Sequence, residues 1–325
     1  MSASSSTAYL LVSHGSRDPR PGQALEHLAQ FVRQSVTGPQ GRSPLVQAAD
    51  SPTRSGVMVT YARSSLSELT TRRPRSTARS HSYEVLTGQD ASHQQTNISL
   101  VGTACLEATS LPLHQQVIDF SRRARAMGVT KLCIVPLFLL KGVHVMDDIP
   151  AQVKLAQEAV PDITLDICTH LGGHPGMANL LRQRLKSTDT ESLLLLAHGS
   201  RRPGGNAPIQ ALARSLGGSA AFWSVAPHLE TQVVQLMQSG VQRLAILPYF
   251  LFTGSLTDAI THATEELAER FPQLGFHLLP PLGPSQDLAN LVIDLALHRV
   301  QPKGTQAMPM KRVAFRHQLH TPLVS

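Results

Sequence analysis

Three residues placed after apolar runs could act together on a metal ion. His14 follows the run at residues 8–13, Glu107 follows a run that restarts at residue 98, and His144 lies just past a third run at 132–140. Two imidazoles and one carboxylate are an ordinary ligand set for a divalent first-row cation such as Co2+, Fe2+, Ni2+ or Zn2+. Such a set binds without the near-irreversible hold of several thiolates, and an imidazole with a reference pKa of about 6.5 can also accept a proton. The long separations in the chain are no obstacle if the three runs are parallel strands, because a ligand crevice forms outside the carboxyl ends of such strands.

The residues around these three have structural readings as well. A Glu leading a helix also favours the positive end of the helix dipole, so Glu107 is open to that role. Asp147 and Asp148 precede Ile149 and Pro150. Either one could cap the following helix or accept a hydrogen bond that orients a ligand imidazole; capping is expected for one, and the other stays open. His170 and His174 flank the glycines at 172 and 173, near the same crevice by topology.

The elements that must position these residues occur twice. The run at residues 8–13 leads into His14-Gly15-Ser16-Arg17, and the run at 193–197 leads into His198-Gly199-Ser200-Arg201. Residues 128–142 match residues 240–254 at one constant offset, and a segment from Leu171 matches one from Leu282. A unit this long, present twice, implies duplication of a compact half-domain rather than a solenoid. The same offset places Leu256 opposite His144, and a looser alignment places Ser224 near Glu107. Only the first copy therefore holds the ligand set, while His198 could line a crevice or merely hold its turn through backbone hydrogen bonds.

Short buried strands alternate with helical periodicity in both copies. The first copy predicts helices over 23–36, 113–127 and 176–185, strands over 98–105, 131–139 and 164–171, and a segment from 143 that begins irregular and becomes helical. The second predicts strands over 193–197, 219–222, 243–252 and 275–279, and helices over 209–215, 230–237, 256–270 and 287–297. The fold class expected is α/β, with two tandem related domains, each a mostly parallel sheet with helices on both faces. Residues 1–186 form the first domain and 187–300 the second. An insertion at 38–97, rich in Ser, Thr, Pro, Gln and Arg with a strand hint only at 57–62, interrupts the first, and a basic tail occupies 301–325.

Composition narrows the partners. The chain has 325 residues, 42% of them apolar, and a formal charge of +7. Residues 38–97 carry seven Arg against four acidic residues, and 301–325 carry four basic residues and no acidic one, so the basicity belongs to the insertion and the tail. No aromatics interleave that charge as a single-strand nucleic-acid platform requires, and nucleic acid is not expected as a partner. Cys105, Cys133 and Cys168 have no close ligand spacing and are odd in number, which favours a reducing, cytoplasmic setting over a disulfide scaffold. The N-terminal stretch 1–16 lacks a basic region, and its apolar run is far too short for a signal h-region or a membrane span.

The collected motifs resemble those of the class II tetrapyrrole chelatases, the sirohydrochlorin cobaltochelatase and ferrochelatase group, in its long two-domain form. LLVSHGSRDPR at 10–20, ACLE at 104–107, VPLFLLKGVHVMDDIP at 135–150 and LLLLAHGSRRPG at 193–204 carry the resemblance. It implies a chelatase-like fold and insertion of Co2+ or Fe2+ into sirohydrochlorin, en route to cobalamin or siroheme, with no organic cofactor and no ATP. By position, His14 and His144 match the family's metal-binding and proton-handling histidines, and Glu107 its assisting acid. The substrate bears many carboxylates, so Arg17, Arg20, Lys141, Arg201 and Arg202 are candidates for paired contacts. Gly15, Ser16, Gly142 and His198 complete the expected substrate contacts, and the expected unit is a monomer with an internal pseudo-two-fold arrangement. Two other readings fit the ligand set: a metal or tetrapyrrole carrier without turnover, and a hydrolase in which a metal-bound water reacts.

Overall fold

The computed structural model describes residues 7–37, 100–186 and 188–298; the readings made for 38–97 and 301–325 lie outside them. Each copy forms a four-stranded, fully parallel sheet among the described residues. In the first, β1 (Thr7–Ser13) lies between β2 (Val101–Cys105) and β3 (Lys131–Pro136), and β4 (Thr164–Ile167) lies beyond β3. The second repeats this order with β5 (Ser192–Ala197) between β6 (Ser219–Phe222) and β7 (Arg243–Pro248), and β8 (Gly275–Leu278) beyond β7.

The central strands are apolar throughout because both faces of each sheet are covered. On β1, Tyr9 and Leu11 enter one core while Ala8, Leu10 and Val12 enter another. The outer core of the first half packs Leu132 and Ile134 of β3 against α2 (Leu113–Ala126) and α3 (Ile149–Ala159). Its counterpart in the second half packs β5 and β7 against α6 (Leu229–Gln238) and α7 (Ser255–Arg270). Between the sheets lies one continuous core, into which α1 (Pro19–Thr37), α4 (Met177–Leu185), α5 (Ala207–Ser215) and α8 (Gln286–His298) send Leu28, Leu181, Ile209 and Val292.

This middle layer ties the repeats together. Helix α8 belongs to the second copy by sequence, yet it packs on α1 and β3 of the first. The guanidinium of Arg184 on α4 reaches the backbone oxygens of Pro280, Pro281 and Leu282 in the second copy. The repeat boundary near residue 187 therefore does not separate two cores.

Several elements end earlier or start earlier than their apolar runs suggest. The third strand of each copy stops at Pro136 and Pro248, where proline has no N–H to donate, and one last bond to the central strand follows, from Leu137 N–H to Val12 O and from Tyr249 N–H to Leu196 O at 2.7 Å each. Residues 137–140 leave the sheet as a loop, and this loop carries Phe138 to the site described below. β4 likewise ends at Ile167, and α1 begins at Pro19, where a proline suits the first helical turn. Because β1 is followed by a helix on the inner face and β3 by one on the outer face, the chain direction splits between these two adjacent strands. Ligands bind parallel sheets at such a switch point.

Candidate metal site

The first wall of the site is made by backbone pairing that continues past β1 and β2. Leu106 N–H donates to Ser13 O at 3.0 Å and Glu107 N–H donates to His14 O at 2.8 Å, which sets His14 and Glu107 side by side. Gly15 makes this approach possible: its φ is +93°, and a Cβ there would stand 2.0 Å from the Glu107 carbonyl oxygen. The His14 Nε2 lies 3.9 Å from Glu107 Oε2, and both side chains are more than half exposed. Nδ1 of His14 is 3.2 Å from the Gly15 carbonyl. A carbonyl can only accept, so the proton belongs on Nδ1 and the free lone pair on Nε2.

The second wall is a π turn, His144–Asp148, that runs into α3 and is closed by Ile149 N–H donating to His144 O. It brings the His144 ring to 4.9 Å from that of His14, nearly perpendicular at 83°. Phe138 lies against both, with ring centroids 6.4 Å from His14 and 6.0 Å from His144. Nδ1–H of His144 donates to Asp148 Oδ2 at 2.7 Å. Ligand atoms from His14, Glu107 and His144 all fall within 4.8 Å of one another, and they form the one such group found among the described residues. Donors sharing a cation at bond lengths of about 2.1 Å stand roughly 3–3.5 Å apart. Small rotations of the exposed His14 and Glu107 side chains cover the difference.

The second copy has the same backbone and different chemistry. Trp223 N–H donates to Ala197 O and Ser224 N–H to His198 O, each at 2.9 Å, so Ser224 occupies the place of Glu107. Its hydroxyl donates to the His198 carbonyl at 2.8 Å. His198 itself is exposed, with Nδ1 3.1 Å from the Gly199 carbonyl. Leu256, in the first turn of α7, replaces His144.

The remaining residues singled out in the sequence separate by their partners. Arg17, Lys141 and Arg201 are exposed at the strand ends, and Arg202 lies 4.0 Å from Asp147 across the two copies. Ser16 is engaged locally, its Oγ accepting from Asp18 N–H at 3.1 Å, and Gly142 has open space around its Cα. Arg20 is engaged between the two copies. Its guanidinium bonds Asp18 of its own copy and Asp258 of α7 in the other, at 2.5 Å to each, and clasps the halves together. The pairing holds both carboxylates below their ordinary range, Asp18 furthest. Asp258 is 238 residues from Arg20, and no local signal in the sequence couples them. Capping by Asp147 or Asp148 is not seen: Asp148 precedes α3 but makes no side-chain cap bond, its carboxylate being turned to His144.

His170 and His174 do not join the triad. His174 is buried, and its Nδ1 accepts from Gly176 N–H at 2.9 Å. Burial lowers the pKa of both imidazoles, Lys141 adding to the effect at His170 and Asp294 opposing it at His174. Above about pH 6.5 both folded and unfolded states hold these rings neutral, and below it the unfolded chain takes up protons first. Stability is therefore full above pH 6.5 and declines as pH falls toward the folded-state values. Thermal melting should show a lower Tm at pH 5 than at pH 7.5, with the gap narrowed by His174→Gln. An equal gap in that variant would remove His174 from the explanation.

A family model described as CbiX matches residues 76–188 and 192–298. The match leaves β1 and α1 outside, so His14 is joined to the site by geometry. A sirohydrochlorin ferrochelatase of Priestia megaterium is 27% identical over 192 residues, which span 55% of this chain and 71% of that protein. A sirohydrochlorin cobaltochelatase of the same organism is 24% identical over 174 residues, spanning 49% of this chain and 57% of its own. SirB from Bacillus subtilis with Fe3+ shares the fold, with a TM-score of 0.61 at 17% identity over 89% of this chain and 93% of that one. Among the described residues, no helix is long and apolar enough to cross a membrane.

Proposed function

The chain belongs to the CbiX family of class II, SirB-like sirohydrochlorin chelatases, in a duplicated two-domain form, and from that premise we propose that it inserts Co2+ or Fe2+ into sirohydrochlorin without ATP or an organic cofactor. The observation that carries this reading is the convergence of His14, Glu107 and His144 on one open crevice in the first half alone. Metallation exchanges protein ligands for ring nitrogens and releases two pyrrolic protons. Nε2 of His14 and Nε2 of His144 hold the incoming cation from one side, and Glu107 supplies the balancing charge. As the ring nitrogens take the metal, each imidazole that lets go becomes a base for a pyrrolic proton, with Glu107 3.9 Å from His14 to pass it on.

The open geometry suits transfer better than storage, because a donor set that encloses its ion on all sides would have to be dismantled at each turnover. Arg17, Lys141, Arg201 and Arg202 take the substrate carboxylates, with Gly15, Ser16 and Gly142 beneath the ring and His198 on the opposite wall. Arg20, already held by Asp18 and Asp258, is left to the clasp. Three cysteines outside any disulfide fit a cytoplasmic enzyme, acting as a monomer whose second half faces the metal site across the substrate crevice.

Anaerobic incubation of the protein with sirohydrochlorin and either metal, followed by absorbance, tests the assignment. Acceleration over spontaneous insertion is expected. A folded protein that leaves the spontaneous rate unchanged with both metals overturns it, and a large difference between the metals would assign the preference.

A further inference from the structure

We propose that Asp148 is a positioning residue for metal handling: its carboxylate holds His144 in the tautomer whose Nε2 faces His14 and Glu107. The proposal rests on the metal-ligand reading of the triad. A carboxylate can only accept, so the 2.7 Å contact between His144 Nδ1 and Asp148 Oδ2 puts the proton on Nδ1 and the lone pair on Nε2. Carboxylates that hold the far nitrogen of a ligand imidazole also orient the ring and strengthen it as a donor.

Two further features separate this role from a helix-starting one. Although Asp148 stands at the N-terminal edge of α3, it makes no capping bond there. Instead, it is the last residue of a π turn, a rare conformation found often at functional sites. The second copy supplies an internal comparison. The constant offset that sets Leu256 against His144 sets Ile260 against Asp148, and Ile260 is fully buried in the outer core. There the helix begins as a regular α-helix at Ser255, with the Thr257 hydroxyl accepting from Gly254 N–H at 2.9 Å. Imidazole, carboxylate and π turn are thus absent together. A carboxylate kept only to start a helix would have no reason to follow the imidazole.

The test titrates Co2+ alone into the full-length wild type, Asp148→Ala and Asp148→Asn by calorimetry. Nitrogen-15 spectra report the His144 tautomer, and melting curves report the fold. Asp148→Ala is expected to weaken Co2+ binding by about 10–100-fold and to give a mixed tautomer with little change in Tm. Asp148→Asn keeps an acceptor oxygen and should lose less. An Asp148→Ala variant with wild-type Co2+ affinity and the proton still on Nδ1 overturns the proposal. Should that variant fail to fold, the wild-type spectrum decides, because a proton on Nε2 of His144 is incompatible with it. The chelatase reading fails separately: if Co2+ affinity depends on Asp148 but sirohydrochlorin is never metallated, only the activity is lost. A wild type that does not bind Co2+ overturns both.

Discussion

Replacing His14 by Ala is expected to lower the rate of metal insertion by at least about 100-fold, and His144→Ala should do the same, while His198→Ala costs far less. The asymmetry follows from what surrounds each imidazole. His14 has a carboxylate 3.9 Å away and a second imidazole at 4.9 Å between ring centroids, which places it in the proposed ligand set. His198 has the Ser224 hydroxyl and a leucine at the matching positions. Neither holds a divalent cation, so losing His198 removes a contact from the opposite wall and no ligand. Turnover and Co2+ titration of the three variants, side by side, give the answer. Equal losses at His14 and His198 would mean that the second half shares in the chemistry.

Gly15→Ala should be among the most damaging single-methyl changes in the chain. At φ +93° an L side chain is strained, and the new Cβ would meet the Glu107 carbonyl at 2.0 Å, a backbone atom that cannot rotate away. Together these cost on the order of 2–5 kcal/mol, comparable with a large part of a domain's net stability. The displacement needed to relieve the clash would also part Glu107 from His14, so activity should fall even where the protein remains folded. Gly199 provides the contrast: at a similar φ of +89°, its Cβ would meet the side chains of Val225 and Phe222 at 2.7 and 2.9 Å. The Val225 methyl can turn aside, which leaves the Phe222 Cβ as the fixed contact, and no ligand depends on either residue. Chemical denaturation should therefore rank Gly15→Ala below Gly199→Ala, and Gly142→Ala, with open space around it, near wild type. A Gly15→Ala protein as stable and active as wild type would show that the β1–β2 approach is not needed.

Much of the site could be read before any fold was known, for a simple reason. The three candidate ligands each follow an apolar run, and parallel strands buried on both faces are encoded by such runs. The duplication then showed that Leu256 and Ser224 stand where the second half would need a ligand, and the shared backbone pairing of Glu107 with His14 and of Ser224 with His198 agrees. Strand ends were read less well: the strands stop at Pro136 and Pro248 inside runs whose apolar pattern continues. The pattern reports burial, and at 137–140 it runs on into a partly buried loop in which Leu137 N–H still donates to Val12 O and Phe138 O accepts from Gly172 N–H.

By itself, the sequence determined the repeated α/β units, the order of their elements, and which half holds two imidazoles and a carboxylate at its strand ends. These are matters of local periodicity and residue identity. Only the tertiary structure decided that α8 crosses to the first sheet, that Arg20 meets Asp258 of the other copy, and that Asp148 turns to His144 instead of capping α3. Each of these is a choice among partners. An arginine or aspartate bonds whichever group the packing brings within about 3 Å, and chain spacing alone does not encode that meeting.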